Sequence, residues 1–252
     1  MRVRHLKLIS DYWDREADSY WQLHPEHADG AMHPSWGLHH IHEDVLRLVS
    51  DAISPGQLLV ELGCGDGHDA IAFAKRGLRV IGVDISRGQL GHALPCEDVC
   101  YINASAEKLP LADDTVDIVT SDHGAFDHSA LDQLLPEVKR ILRPGGLLVV
   151  CTYSPLAVAC FNRQSGKIDQ ALHNDYPTRT LRSDGSSLAA EYSYSEWIRA
   201  LRAHGFAIER LEELRSPPGR VSYFSDLVTN EWSARWPCDI VWVARSVGDE
   251  QR

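Results

Sequence analysis

Residues 58–70, LLVELGCGDGHDA, set three glycines within five positions, Gly63, Gly65 and Gly67, directly behind an apolar run and ahead of a helical one. A strand that turns through bare backbone into a helix opens a βαβ unit, and its turn is where a ligand can approach the main chain. The same alternation continues along the chain. QLLVEL (57–62) reads as a strand, DAIAFAKRG (69–77) as a helix closed by Gly77, and RVIGVDI (79–85) as the next strand. Ser86 suits the N-cap of a helix in SRGQLGHAL, DVCYINA (98–104) reads as a third strand and VDIVTSD (116–122) as a fourth. LDQLLPEVKRIL (131–142) predicts a helix that Pro136 kinks or starts, followed by an RPGG turn and the strand LLVVCTY. YSEWIRALRAHG has helical periodicity, with Trp197 and Leu201 on its sheet side, and FAIERLEEL (206–214) and CDIVWVARS (238–246) read as two final strands. Near-continuous apolar strands in this order predict an α/β fold with a mostly parallel sheet covered on both faces, and a ligand beyond the strands' carboxyl ends.

The rhythm breaks after Tyr153, which divides the chain into an N-terminal region (1–52), a core (53–153), an insertion (154–190) and a C-terminal part (191–252) that completes the same sheet. At 252 residues the chain buries a full core as one large domain with additions. Its formal net charge of −11 disfavours phosphate backbones and anionic lipid. The opening segment lacks an apolar signal core and no run of about 18 apolar residues occurs, so the expected location is the cytoplasm. Six cysteines, Cys64, Cys96, Cys100, Cys151, Cys160 and Cys238, lack paired CxxC spacing and are expected as reduced, buried thiols. The N-terminal histidines, His24, His27, His33, His39, His40 and His42, form no HxxxH or HExxH pair on a clear helix, and no metal site is expected.

The ligand of the glycine loop follows from its neighbours. A G-x-G-x-x-G dinucleotide fingerprint needs a small residue where this chain has His68, and no G-x-x-x-x-G-K-[ST] phosphate loop is present. Glu61, just ahead of the glycines, suits a ligand bearing an ammonium group better than a phosphate.

An acidic residue followed by G-x-G-x-G resembles the first motif of the class I S-adenosylmethionine-dependent methyltransferases, and further elements appear in that family's order. Asp84 ends the second strand in VIGVDIS, ASAEKLPLADDTVDIV resembles the adenine-contacting segment, VKRILRPGGLLVV the fifth strand's approach, and YSEWIRALRAHGFAIERLEEL the last helix and sixth strand. The resemblance spans about residues 40–246, with small-molecule methyltransferases acting on quinones and secondary metabolites the most similar. It implies a Rossmann-like fold with a seven-stranded sheet, an N-terminal helical lid, a substrate-capping insertion after strand five, and S-adenosylmethionine as cofactor. By the same resemblance Glu61, Gly63, Gly65, Gly67 and Asp84 would bind the amino-acid and ribose parts and Ser105, Ala106 and Glu107 the adenine, with Cys64, Ile85 and Gln89 also in the cofactor site. Ser121, Asp122 and the lid's Tyr20 would complete the cofactor site. The family's usual aspartate before the alanine of the adenine segment is Ser105 here, a weaker acceptor.

Methyl transfer needs alignment above all: positioning supplies effective molarities of about 10⁵–10⁸ M, against roughly 10²–10⁴-fold from a general base. In the family the loop after strand four, SDHGAFDH (121–128), lies beside the methyl group, making Asp122, His123 and His128 candidates, with His123 or His128 as proton acceptor. His173, Asp175 and Tyr176 of the insertion would face the same cavity from above. Tyr12, Trp13, Tyr20, Trp21 and Trp36 suit a lid, and Tyr223, Phe224, Trp232 and Trp236 a substrate wall. The resemblance implies methyl transfer to O, N, S or C of a small, apolar or aromatic metabolite, by a monomer or homodimer without nucleic-acid or membrane partners. The missing NPPY sequence argues against adenine or glutamine-amide methylation. Two alternatives share the motifs: an S-adenosylmethionine enzyme doing other chemistry, and a non-catalytic sensor of the cofactor.

Overall fold

The computed structural model describes residues 2–22, 32–183, 188–219 and 224–248. His24, His27 and Tyr223 lie outside them. The chain opens with α1 (Arg2–Gln22) and continues through β1 (Leu58–Leu62), α2 (His68–Ala74), β2 (Arg79–Asp84), α3 (Arg87–Gly91), β3 (Val99–Asn103) and β4 (Val116–Asp122). Then come α4 (Leu131–Ile141), β5 (Leu142–Tyr153), α5 (Pro155–Cys160), the hairpin β6 (Arg179–Ser183) and β7 (Leu188–Tyr192), α6 (Tyr194–Ala203), β8 (Phe206–Leu214), α7 (Asn230–Arg235) and β9 (Asp239–Ser246). Seven strands form one sheet in the order β8-β9-β5-β4-β1-β2-β3. The β5, β4, β1, β2 and β3 pairings are parallel, while β9 runs antiparallel to both β5 and β8.

Alternate residues of each strand feed two cores. Val60, Leu62, Val119, Val150 and Trp242 pack beneath α4 and α6, against Leu134, Val138, Trp197 and Leu201. Leu59, Val80, Ile118, Val149 and Val241 pack on the opposite face against Ala70, Phe73, Ala74 and Trp36. Strands buried on both faces are apolar along most of their length, with polar residues such as Glu61 and Asp84 near their carboxyl ends, which is why they read as near-continuous apolar runs. Ser86 and Ser193 cap α3 and α6 through their side chains, each satisfying a helix N–H. Pro136 lies inside α4. RPGG is not a separate turn: β5 runs through it, with an irregularity between the Val116–Leu142 and Ile118–Leu147 pairs. Cys64, Cys151, Cys160 and Cys238 are buried free thiols, but Cys100 is exposed and Cys96 half-buried, because β3 is an edge strand. Among the described residues no helix is long and apolar enough to cross a membrane.

β1 connects to β2 on one side of itself, while β4 lies on its other side. The connections part there, opening a crevice at the carboxyl ends of β1 and β4.

Candidate functional site

The glycine loop leaves β1 into this crevice. Gly63 and Cys64 donate their N–H groups to Val83 O (2.8 and 3.1 Å), tying the loop to β2. The three glycines are bare for different reasons. A Cβ on Gly63 (φ +76°) would lie 2.6 Å from Gly124 Cα, and one on Gly67 (φ +78°) would enter the Tyr101 ring, so both are fixed by neighbouring protein atoms. Gly65 (φ +54°) meets nothing closer than Gln89 Oε1 at 3.7 Å, which leaves its surface open to a ligand. Asp84 does more than the sequence suggests: Oδ2 accepts from Gly65 N–H (2.9 Å) and Oδ1 from Ser86 N–H (2.8 Å), so it braces loop and helix together. Each oxygen retains a second lone pair for a ligand hydroxyl.

The crevice deepens into a cavity of about 450 Å³ roofed by α1. Glu61, Gly63, Cys64, Gly65, Asp84, Ile85, Gln89, Ser105 and Ala106 line one end; Asp122, His123, Tyr153, Phe161, Ile168, Tyr192, Phe224 and Leu227 line the other. From α1, Tyr12, Trp13 and Tyr20 enter the walls. The helix is pinned by side chains: Asp14 Oδ1 accepts from Ser86 Oγ (2.6 Å) and Gly88 N–H (2.9 Å), and His92 pairs with Asp18 (2.8 Å). Trp21 stacks on His92, whereas Trp36 belongs to the core.

The floor is a cluster of carboxylates. Burial, reinforced by the charges of Asp69, Asp66, Asp122 and Asp84, holds the Glu61 carboxyl well above its ordinary range. Burial and the Asp122 charge do the same to Asp69, and burial pushes Asp122 up to about 6 against the opposing pull of His123. Glu61 Oε2 and Gln89 Oε1 are buried acceptors without a hydrogen-bond partner among the described residues. Unsatisfied buried acceptors are rare in native folds and call for a donor. Bare backbone, two orphaned acceptors and clustered negative charge fit a cationic ligand rich in N–H and O–H donors, and repel a phosphate.

His123 is not a free base. Its Nδ1 bonds Asp127 Oδ2 (2.8 Å) and its Nε2 bonds Asp239 Oδ1 (3.1 Å). Burial opposes its charge, but Asp127 and Asp239 overcome it and hold the ring well above its usual range; with a carboxylate oxygen facing each nitrogen, the ring is placed to donate from both. Its backbone takes φ +43°, a left-handed conformation that lets the ring reach both carboxylates. Asp122, His123 and Cys151 offer ligand atoms within 4.8 Å of one another, but both His123 nitrogens are committed to the carboxylates of Asp127 and Asp239.

Other expected residues also make internal contacts, His128 and Ser105 while lining the cavity. His128 Nδ1 reaches Leu188 O (2.6 Å) and its Nε2 accepts from Trp13 (3.3 Å), so it joins lid, core and insertion. Ser121 donates to Leu62 O (2.8 Å), and Glu107 holds His5 of α1 (3.0 Å); neither lines the cavity. Ser105 Oγ accepts from Glu107 N–H (3.2 Å). His173 turns to Asp169 (2.8 Å), and Tyr176 is 54% exposed, so the insertion presents other groups to the cavity. Trp232 is core and Trp236 is exposed, leaving Phe224 as the wall. Asp69, Asp127 and Asp239 escaped the sequence reading, although the His123–Asp127 spacing of four was a signal for one of them.

The comparisons with known proteins agree with this geometry. A profile described as a methyltransferase domain matches residues 60–150. The chain is 36% identical over 154 residues to a demethylmenaquinone methyltransferase of Mycobacterium marinum, a match covering 59% of this chain, and it spans 62% of that relative's length. To the enzyme of the same name from Streptomyces avermitilis it is 30% identical over 174 residues, covering 66% of this chain and 72% of that one. The crystal structure of geranyl diphosphate C-methyltransferase from Streptomyces coelicolor shares the fold, with a TM-score of 0.65 at 20% identity over 96% of this chain and 98% of that one. The chain belongs to the class I S-adenosylmethionine-dependent methyltransferases.

Proposed function

We propose that this protein transfers a methyl group from S-adenosylmethionine to a small apolar or aromatic acceptor. The observation that carries the reading is Glu61: a buried carboxylate with an unsatisfied oxygen, set behind the open Gly65 backbone among further acids. An amino-acid ammonium answers that unsatisfied oxygen. When bound, the cofactor supplies an electrophilic methyl group on a positively charged sulfur. The chain's own residues do the rest. Glu61 holds the ammonium, Asp84 and Gln89 receive ribose hydroxyls, and Ile85, Ser105 and Ala106 face the adenine. Ile168, Phe161, Phe224, Leu227 and Tyr192 form an apolar wall that orients the acceptor and excludes water. The Tyr20 phenol stays protonated, because burial and the Asp66 and Asp122 charges raise it, and it closes the cavity from the lid side.

Demethylmenaquinone methyltransferase relatives support a quinone-like or similarly flat acceptor. We take the acceptor to be a small molecule rather than a nucleic acid, since the chain carries a net charge of −11. We place the protein in the cytoplasm, as a monomer or homodimer. The test is transfer of radiolabelled methyl from S-adenosylmethionine to a panel of hydroxylated naphthoquinones, aromatic amines and N–H heterocycles. Label in an extractable product supports the reading. Bound cofactor with no transfer to any acceptor favours the non-catalytic sensor.

A further inference from the structure

Three carboxylates meet around His123 at the acceptor end of the cavity, and two of them already have a hydrogen bond on each oxygen. Asp127 gives Oδ2 to His123 and Oδ1 to the Thr152 hydroxyl. Asp239 gives Oδ1 to His123 and Oδ2 to Leu38 N–H (3.0 Å). His123 has no free nitrogen. Asp122 differs: Oδ2 is fixed by Gly37 N–H (2.9 Å), while Oδ1 is buried and makes no hydrogen bond among the described residues. Asp122 also lines the cavity, at the end of β4 beside the glycine loop's Gly63 and opposite Cys151 of β5. Of the three carboxylates it is the one with an oxygen that makes no hydrogen bond among the described residues while the other oxygen fixes its orientation.

We propose that Asp122 Oδ1 receives the proton released by the methyl acceptor, and that the accepting atom is a nitrogen carrying hydrogen rather than a phenolate or carboxylate oxygen. The proposal rests on the methyltransferase reading and names the substrate class of that site. In the step, the nitrogen lone pair forms the bond to the methyl carbon and the carbon–sulfur bond breaks, with its electron pair left on sulfur. The nitrogen's proton passes to Asp122, which returns it to solvent on product release. Three carboxylates balanced by one imidazolium repel an anionic acceptor and favour an N–H group that turns cationic as it is methylated. Burial raises Asp122 to about 6, which keeps it ionised at neutral pH and close to the best value for a general base.

Sinefungin tests this without turnover, because a carbon bearing an ammonium group replaces its methylsulfonium and sets a cation where the proton would be lost. Calorimetric titration compares it with S-adenosylhomocysteine, which lacks that cation. The wild-type protein is expected to bind sinefungin at least about tenfold more tightly, and Asp122→Asn to bring the ratio within about threefold while S-adenosylhomocysteine affinity holds. Asp122→Glu should retain the preference. Equal affinities in the wild type, or a loss in Asp122→Asn shared by both ligands, would overturn the role of Asp122. A product methylated at oxygen, carbon or sulfur would overturn the nitrogen assignment. Failure of the wild type to bind S-adenosylhomocysteine would instead bring down the methyltransferase reading.

Discussion

Asp122→Asn should make the protein more stable, by an amount that grows as pH rises from about 4 to about 6 and is constant above that. The Asp122 carboxyl titrates near 3.8 in the unfolded chain and at about 6 in the fold. A raised acid binds protons more tightly in the native state, so its contribution is neutral below about 4, turns unfavourable as pH climbs to 6, and is constant thereafter. The shift corresponds to up to about 3 kcal/mol, which solvent in the cavity trims toward about 1.5. Asparagine keeps an oxygen for Gly37 N–H and removes the charge. For a chain of this size the melting temperature should rise by roughly 3–12 °C at pH 8 and by only about a third of that at pH 4.5. Thermal denaturation followed by circular dichroism, without ligand, at both pH values reads this directly. A variant less stable than wild type at pH 8, or a gain independent of pH, would refute the reasoning that Asp122 is retained at the expense of stability. Such a cost is expected where a fold keeps a charge for chemistry.

Glu61→Gln should weaken S-adenosylmethionine binding by about 10- to 150-fold, the value of a charge-assisted hydrogen bond of about 1.5–3 kcal/mol, and calorimetry measures it. His123→Ala should destabilise the fold by about 3–5 kcal/mol, because Asp127 and Asp239 lose their shared cation while remaining buried. A shift of that size in the denaturation midpoint confirms a structural cation; a small shift with lost turnover would restore His123 as a base. Gly63→Ala should cost several kcal/mol, adding the clash with Gly124 to about 1–2 kcal/mol of left-handed strain. Gly65→Ala should cost only the strain and fold normally, yet bind cofactor poorly. Equal denaturation midpoints for the two would contradict the different reasons assigned to these glycines.

Much of the scaffold was legible because the inner strands leave near-continuous apolar runs and the edge strand β8 alternates; β4 and β8 have the residue bounds the pattern predicts. The cofactor end was legible too, since Glu61, the glycines and Asp84 fall within one βαβ unit. The acceptor end was not. His123 reads as a neutral-pH base in isolation, and only the fold brings Asp239 from the far end of the chain to its second nitrogen. Gly37, whose N–H fixes Asp122, comes from a loop with no motif. Glu107 and His128 lie where the sequence put them, but contacts with α1 occupy both, and the docking of a lid helix leaves no local signature.

The central claim is that the glycine loop and its acidic floor hold a cationic nucleoside of amino-acid character. Calorimetric titration of the purified protein with S-adenosylmethionine and S-adenosylhomocysteine, with NAD as the phosphate-bearing control, tests it most directly. The account predicts one-to-one binding of the first two and none of NAD. Binding of NAD, or of neither cofactor form, would contradict it.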